Sequence, residues 1–367
     1  MRVDSMKIQI RNVLNDIAPY IPGKPIEDVK RELGLERVIK LASNENPLGC
    51  SSKAKEAMVD AINKSALYPD GNCTDLRNAL AEKMGLKPTQ FFFGAGSDGI
   101  IEMIPKAFIE PGDESIMAFP SFPLYETSIK LAGGICVQVP LDKNYCFDLD
   151  AMAEKINKRT KVIWLCNPNN PTGTMYTREQ QDAFLQKVPE NIVVVLDEAY
   201  YEYVTREDYP ESLALLDKYP NIIILRTFSK IYGLASARIG YAISNETMIG
   251  YLERVRSPFN VCTYAQVAAT ASLDDEEFKM LSYSTNKENK EFLYNEFNKI
   301  GLRYLPSETN FIMVDTAKDS KEVFQALLRK GIIVRPGYVF GMNTWLRVTI
   351  GTKEECEEFV EALKEVI

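Results

Sequence analysis

A lysine and an arginine eight residues apart carry the chemistry this chain offers most plainly. In TFSKIYGLASARIGY (residues 227–241), Lys230 follows the hydroxyls of Thr227 and Ser229 and precedes Arg238. The segment comes directly after NIIIL (221–225), a β-branched apolar run that reads as a buried strand. An amine at the end of such a strand can form a Schiff base with an aldehyde cofactor. Neighbouring hydroxyls and a guanidinium can hold that cofactor's phosphate. Taken alone, the same spacing more often means a solvated lysine at a strand end.

Other segments bear on that choice. GAGSDG (94–99) follows the strand-like FFFG. Its glycines allow close backbone approach, and a helix starting at Ser97 and Asp98 offers amides to an anion such as phosphate. The same residues also suit a tight turn with Ser97 or Asp98 as the helix cap. NPNNPTG (167–173) follows VIWLC; its prolines stiffen a turn and its amides, Asn170 among them, point into a strand-end crevice. In LDEAYYEY (196–203), Asp197 can keep a pyridine nitrogen protonated, which makes the ring an electron sink, or it can cap a following helix. Tyr200, three residues on, can bond the ring's phenolic oxygen. In PSFPLY (120–125), Phe122 can stack on a flat ring, although a core aromatic is the default.

Composition narrows the chemistry further. The chain has 367 residues with 43 basic and 51 acidic side chains, a formal charge of −8. That balance argues against nucleic acid or an anionic membrane as partner. The densest basic run, KINKRTK (155–161), reads as a solvated helix end. None of the seven cysteines forms a CxxC pair, so they read as reduced thiols of a cytoplasmic protein. No apolar run approaches a membrane span, and the N-terminus lacks a signal-peptide core. There is no histidine. Ser-His-Asp and Cys-His catalysis and histidine metal sites are thereby excluded, and no metal is expected. Acid–base work falls to Lys, Tyr, Cys, Asp or Glu.

The elements that must position these residues alternate along the chain. Strand-like runs at 91–94, 115–119, 135–140, 162–166, 192–197, 221–225 and 239–244 are separated mostly by helical patterns, with earlier helices at 51–66 and 74–85. The alternation predicts an α/β fold with a mostly parallel sheet covered on both faces. After Ser257 a long helical stretch (263–300) leads into a smaller α/β unit with strands at 311–315, 332–336 and 345–350. The expected division is an N-terminal arm at 1–40, a large domain at 41–256 and a small domain at 257–367. Ligands of open α/β sheets gather at the carboxyl ends of the strands, where the candidate residues repeatedly fall.

Five such signals in chain order resemble the fold-type I pyridoxal-phosphate enzymes, specifically the aminotransferases. LASNENPLG (41–49), YPDG (68–71), GAGSDG, NPNNPTG, DEAYYEY, the lysine segment, RPG (335–337) and LRVTIGT (346–352) look most like the histidinol-phosphate aminotransferase family. The resemblance runs from about Tyr20 to Arg347. It implies that Lys230 carries pyridoxal 5'-phosphate and moves the substrate proton. Asp197 would pair with the ring nitrogen, and Tyr200 and Asn170 with the phenolic oxygen. Ser97, Asp98, Thr227, Ser229 and Arg238 would hold the phosphate, and Phe122 would cover the ring. Tyr68 would reach across a homodimer interface to the partner's cofactor. Arg347 would bind a substrate carboxylate and Arg335 the substrate phosphate, with Tyr20 and Asn44 nearby. The implied reaction passes an amino group between histidinol phosphate and 2-oxoglutarate, with glutamate as the other amine, in histidine biosynthesis.

The chain departs from the family at GAGSDG, where GNGSDE is usual, and at Phe122, where tyrosine is frequent. Alternatives on the same fold are a broad aromatic amino acid aminotransferase and a phospho-amino-acid decarboxylase. A ligand sensor with a borrowed fold would need an added DNA-binding domain. A nicotinamide dehydrogenase would need the full GxGxxG spacing, which GAGSDG lacks.

Overall fold

The computed structural model describes residues 9–19 and 23–367. The expectation for Tyr20 lies outside these residues. In chain order the strands are β1 Ile39–Leu41, β2 Phe91–Gly94, β3 Glu114–Phe119, β4 Ile135–Pro140, β5 Thr160–Cys166, β6 Val193–Asp197, β7 Ile222–Thr227, β8 Gly240–Ile243, β9 Arg303–Tyr304, β10 Phe311–Asp315, β11 Ile332–Pro336 and β12 Trp345–Thr349. They form two sheets.

The larger sheet has seven strands in the order β2-β8-β7-β6-β5-β3-β4. Pairing is parallel from β7 across to β4. The apolar runs of β6 and β7 are buried along their whole length, as strands covered on both faces must be. Ile104, Ile129, Leu185 and Ala268 bring the helices Gly96–Phe108, Leu124–Ala132, Arg178–Leu185 and Thr263–Leu273 into the same core. Strand β8 runs antiparallel to both β7 and β2. The cause lies in the connection. A parallel return usually needs a crossover helix, and residues 228–239 contain only the short 3-10 turn Ala235–Ala237. The chain therefore doubles straight back after β7, and that doubled-back link carries Ser229, Lys230 and Arg238.

The second sheet has the order β1-β11-β12-β10-β9. Only β1 and β11 are parallel. Ile312, Leu346 and Val348 pack there on Phe297 and Phe359 from the helices Glu276–Lys299 and Lys353–Val366. The last helix begins with a reciprocal cap in which Thr352 and Glu355 each accept the other's backbone amide. Residues 263–300 make two helices, because Asp274 and Asp275 interrupt them. Asp275 accepts the Phe278 amide and starts the second.

Two segments cross the boundaries expected from sequence. Residues 39–41 pair with β11 of the smaller sheet, and helix Thr263–Leu273 packs into the larger core. We propose that the units follow this packing, with β1 counted in the smaller one and Thr263–Leu273 in the larger. Among the described residues no helix is long and apolar enough to cross a membrane.

Candidate active site

Strands β3, β5, β6 and β7 run the same way, so Phe119, Cys166, Asp197 and Thr227 end on one edge of the sheet. Two antiparallel steps, β7 to β8 and β8 to β2, bring the end of β2 to that edge as well. The helix Gly96–Phe108 starts there. Its cap position is Ala95, which offers no side-chain acceptor, so neither Ser97 nor Asp98 caps the helix. The first-turn amides are left for another acceptor.

Two glycines make the cradle possible. A Cβ on Gly96, whose φ is +75°, would overlap the Arg238 guanidinium. One on Gly240 would overlap the Ser97 amide nitrogen. Arg238 itself sits in the left-handed region at φ +54°. Its guanidinium donates to Asp98 Oδ2 at 3.0 Å, to Ser229 Oγ at 3.3 Å and to the Ala235 carbonyl at 3.1 Å. Thr227 Oγ1 accepts the Ser229 amide at 3.1 Å, which turns the chain toward Lys230. Helix amides, hydroxyls and a half-exposed cation thus meet at one point, an arrangement that suits an anion.

Lys230 is half-buried, with Nζ 5.4 Å from the centre of the Tyr200 ring. Burial lowers its pKa to about 8. The charges of Arg347 and Arg238 act the same way, and Asp98 and Glu45 oppose them. Asp197 is buried, and burial pushes its carboxyl up to about 6 despite two bonds that favour the anion. Oδ2 accepts the Tyr125 hydroxyl at 2.6 Å and Oδ1 the Ala199 amide at 3.2 Å. Asp197 caps no helix, since the next turn, Tyr201–Tyr203, starts after Tyr200. Among the described residues it has no ion pair. The nearby buried cation Arg226 is committed to Glu198 at 2.9 Å and lies 3.7 Å from the Tyr201 ring centre.

A third group links the two sheets. Arg347 is almost fully buried and donates to Asn170 Oδ1 at 2.6 Å and to the Ala42 carbonyl at 2.9 Å. A guanidinium only donates, so Asn170 must turn its Nδ2 toward Tyr200 Oη, 3.5 Å away. The Thr349 hydroxyl likewise donates to Asn44 Oδ1 at 3.0 Å, which turns Asn44 Nδ2 to Tyr200 Oη at 2.9 Å. Burial raises the Tyr200 pKa well above that of an ordinary tyrosine. With two amides donating to its oxygen, the Tyr200 proton is left to donate onward.

Phe122 is partly buried and meets Tyr125 edge-on, with ring centres 5.7 Å apart. Arg335 lies directly opposite Arg347 across the β11–β12 pair, so both project from one face of the smaller sheet. Tyr68 is 82% exposed and stacks on Phe259 at 4.6 Å. Among the described residues it has no hydrogen bond or ring contact with the other candidates. Sequence reasoning missed Tyr125, Thr349 and the crossing of Gly96 with Gly240. Thr349 was findable, because it sits two residues after Arg347 on the same strand face. Tyr125 stood inside a noted motif, in which only Phe122 was singled out.

The chain matches the model of the aminotransferase class I and II family over residues 36–363. It is 55% identical to a histidinol-phosphate aminotransferase of Caldicellulosiruptor saccharolyticus, over 97% of this chain and 99% of that one. It is 51% identical to one of Moorella thermoacetica, over 97% and 92%. The crystal structure of the histidinol-phosphate aminotransferase from Sinorhizobium meliloti in complex with pyridoxal-5'-phosphate superposes with a TM-score of 0.90 at 29% identity, covering 99% of this chain and 98% of that one. The glycine cradle, the acidified lysine and the buried aspartate are thus those of a chain that belongs to the class I and II aminotransferases and, within them, to the histidinol-phosphate aminotransferase family.

Proposed function

We propose that this chain transfers an amino group between L-histidinol phosphate and 2-oxoglutarate, with pyridoxal 5'-phosphate as the carrier. The observation that carries the reading is one strand-end edge where an acidified lysine and a buried carboxylate, without an ion pair among the described residues, flank an anion cradle. The names of the relatives at 55% and 51% identity support the choice of substrate.

The residues fit the cofactor. Asp197 has lost water without gaining a cation among the described residues, and a protonated ring nitrogen would supply one. Tyr200 and Asn170 would take the phenolic oxygen, and Phe122 a ring face. The amides of Ser97 and Asp98, with Thr227, Ser229 and Arg238, would hold the phosphate. When bound, pyridoxal phosphate supplies an aldehyde that captures the amino nitrogen and a ring that takes up electrons from the substrate. Lys230 is the base for the proton on the substrate carbon that bears the amine. With a pKa of about 8, roughly a tenth of its amine is neutral at pH 7, against fewer than one in a thousand at the ordinary lysine value. Arg347 would anchor the carboxylate of glutamate and Arg335 the phosphate of histidinol phosphate, two neighbouring cations for two alternating anions.

The working form we propose is a cytoplasmic homodimer. Val59, Ile62, Leu67 and Tyr68 are exposed within one short stretch, which suits cover by a second copy. All seven cysteines are unpaired, which suits a reducing compartment.

Purified, cofactor-loaded protein would be mixed with histidinol phosphate or, in parallel, with phenylalanine, and the cofactor's visible band followed. Rapid loss with histidinol phosphate alone is expected. Comparable loss with both would replace the reading by a broad aromatic enzyme, and loss with neither would sink it.

A further inference from the structure

We propose that Tyr125 is a positioning residue for Asp197, fixing the carboxylate's orientation and holding the shared proton on the cofactor's ring nitrogen rather than on the carboxylate. This rests on the placement of that nitrogen at Asp197. Nothing in the sequence motifs singled out Tyr125, and the structure gives it three fixed contacts.

Its ring is fully buried and stacks on Trp164, with centres 4.7 Å apart and planes 19° apart. Trp164 is itself tied into the sheet, since Nε1 donates to Ser115 Oγ at 3.0 Å and Ser115 Oγ donates to the Val162 carbonyl at 3.0 Å. The edge of Tyr125 meets Phe122, the candidate ring cover. Its hydroxyl meets Asp197 Oδ2 at 2.6 Å, the short distance of a bond to a charged acceptor. One side chain therefore touches both the group proposed to cover the cofactor ring and the group proposed to hold its nitrogen. With Oδ2 bonded to Tyr125 and Oδ1 to the Ala199 amide, the carboxylate cannot turn without breaking a buried bond.

The direction of the effect follows from the surroundings. Around Asp197 stand Cys166 on β5, directly opposite in register, Asp98 at the helix start, Glu198 beside it, and Tyr176 and Tyr200. Asp98 and Glu198 are engaged by Arg238 and Arg226. Burial keeps the Cys166 thiol protonated, up to about 12, and holds both tyrosines neutral. Among the described residues only Tyr125 donates a hydroxyl proton to the carboxylate. Its own proton is held firmly, because burial and the Asp197 charge both disfavour the phenolate. A donor bond lowers the basicity of the carboxylate. Removing it makes Asp197 the stronger competitor for the proton, and the ring becomes a weaker electron sink.

The test is Tyr125→Phe in the holoenzyme, which keeps the stacking on Trp164 and deletes the hydroxyl. It is made in the wild-type background and in Asp197→Asn. In the wild-type background we expect kcat to fall roughly tenfold, as for loss of one bond to a charged group, with KM for glutamate within about twofold. With ¹⁵N-labelled cofactor, the ring-nitrogen resonance should move toward the unprotonated position. In the Asp197→Asn background Tyr125→Phe should change neither quantity. Equal losses in both backgrounds, or an unmoved resonance, would overturn the proposal while leaving the amino-transfer reading intact. Full turnover by Asp197→Asn would remove the carboxylate's role, and this proposal with it. Retained turnover by Lys230→Ala would strike the underlying reading instead.

Discussion

At the scale of residues, Lys230 and Asp197 carry opposite shifts from one cause. Burial disfavours charge, so it lowers the amine to about 8 and raises the carboxyl to about 6. Both shifts have consequences for the cofactor-free fold. The folded pKa of Asp197 lies above its unfolded value, so its contribution is best below about pH 4 and is lost as pH rises through about 6. Asp197→Asn should therefore stabilise the cofactor-free protein at pH 8, by at most about 3 kcal/mol, with the gain fading as pH falls through about 6 and gone below about pH 4. The same change should lower turnover by at least about a hundredfold. Urea unfolding across pH and steady-state kinetics check the two halves. Lys230 runs the other way. Its folded pKa is depressed, so stability is gained as pH rises from about 8 toward the ordinary lysine value. Lys230→Ala should abolish turnover, by on the order of a thousandfold or more, with the circular dichroism spectrum unchanged. Arg335→Ala should weaken histidinol phosphate far more than glutamate, and equal rises in the two KM values would refute the phosphate-anchor role.

At the scale of elements, the strands were legible because buried strands must be apolar and short, and each of the seven apolar runs of the larger sheet became one. Less of their arrangement was legible. The reversal at β8 depends on what the 228–239 link lacks, a helix, and the link drew notice for its chemistry. Pairing of β1 with β11 joins distant parts of the chain, which no local pattern encodes. The basic run at 155–161 starts at a helix end, with Lys155 as the cap after Glu154, and runs on into β5. Within it Asn157 and Arg159 bond the buried Glu114 carboxylate, holding it below the usual range. In the candidate site, Lys230, Asp197, Asn170, Tyr200 and Arg238 were proposed from residue type at or just beyond strand ends. Tyr125 was not, because a buried tyrosine on a helix looks the same whether its hydroxyl meets a carboxylate or a carbonyl. The glycine crossing makes a prediction of its own. Gly240→Ala would drive a methyl into the Ser97 amide, so we expect a loss of roughly 1–3 kcal/mol or more in unfolding free energy. Cofactor affinity should fall with it in an equilibrium titration, whereas Gly250→Ala, in open space inside the helix Glu246–Val255, should leave cofactor affinity unchanged and raise stability by up to about 1 kcal/mol.

At the scale of the whole molecule, the proposed dimer places Tyr68 and Lys230 of one site on different chains. Lys230→Ala and Tyr68→Ala should each be impaired, yet co-expression should restore activity. Random pairing gives half mixed dimers, each with one intact site of two, so about a quarter of wild-type turnover is expected. No recovery would mean that Tyr68 serves its own chain or none. Between the two sheets, Arg347 and Asn44 on one side grip Asn170 and Tyr200 on the other. A guanidinium carries five N–H groups and the bonds to Asn170 and Ala42 use two, so in the role proposed for it Arg347 need release neither to meet a substrate carboxylate. Capture of the substrate then adds a ligand to a cation that the protein's own amide already aims. The clasp between the two sheets stays closed while substrate and product come and go.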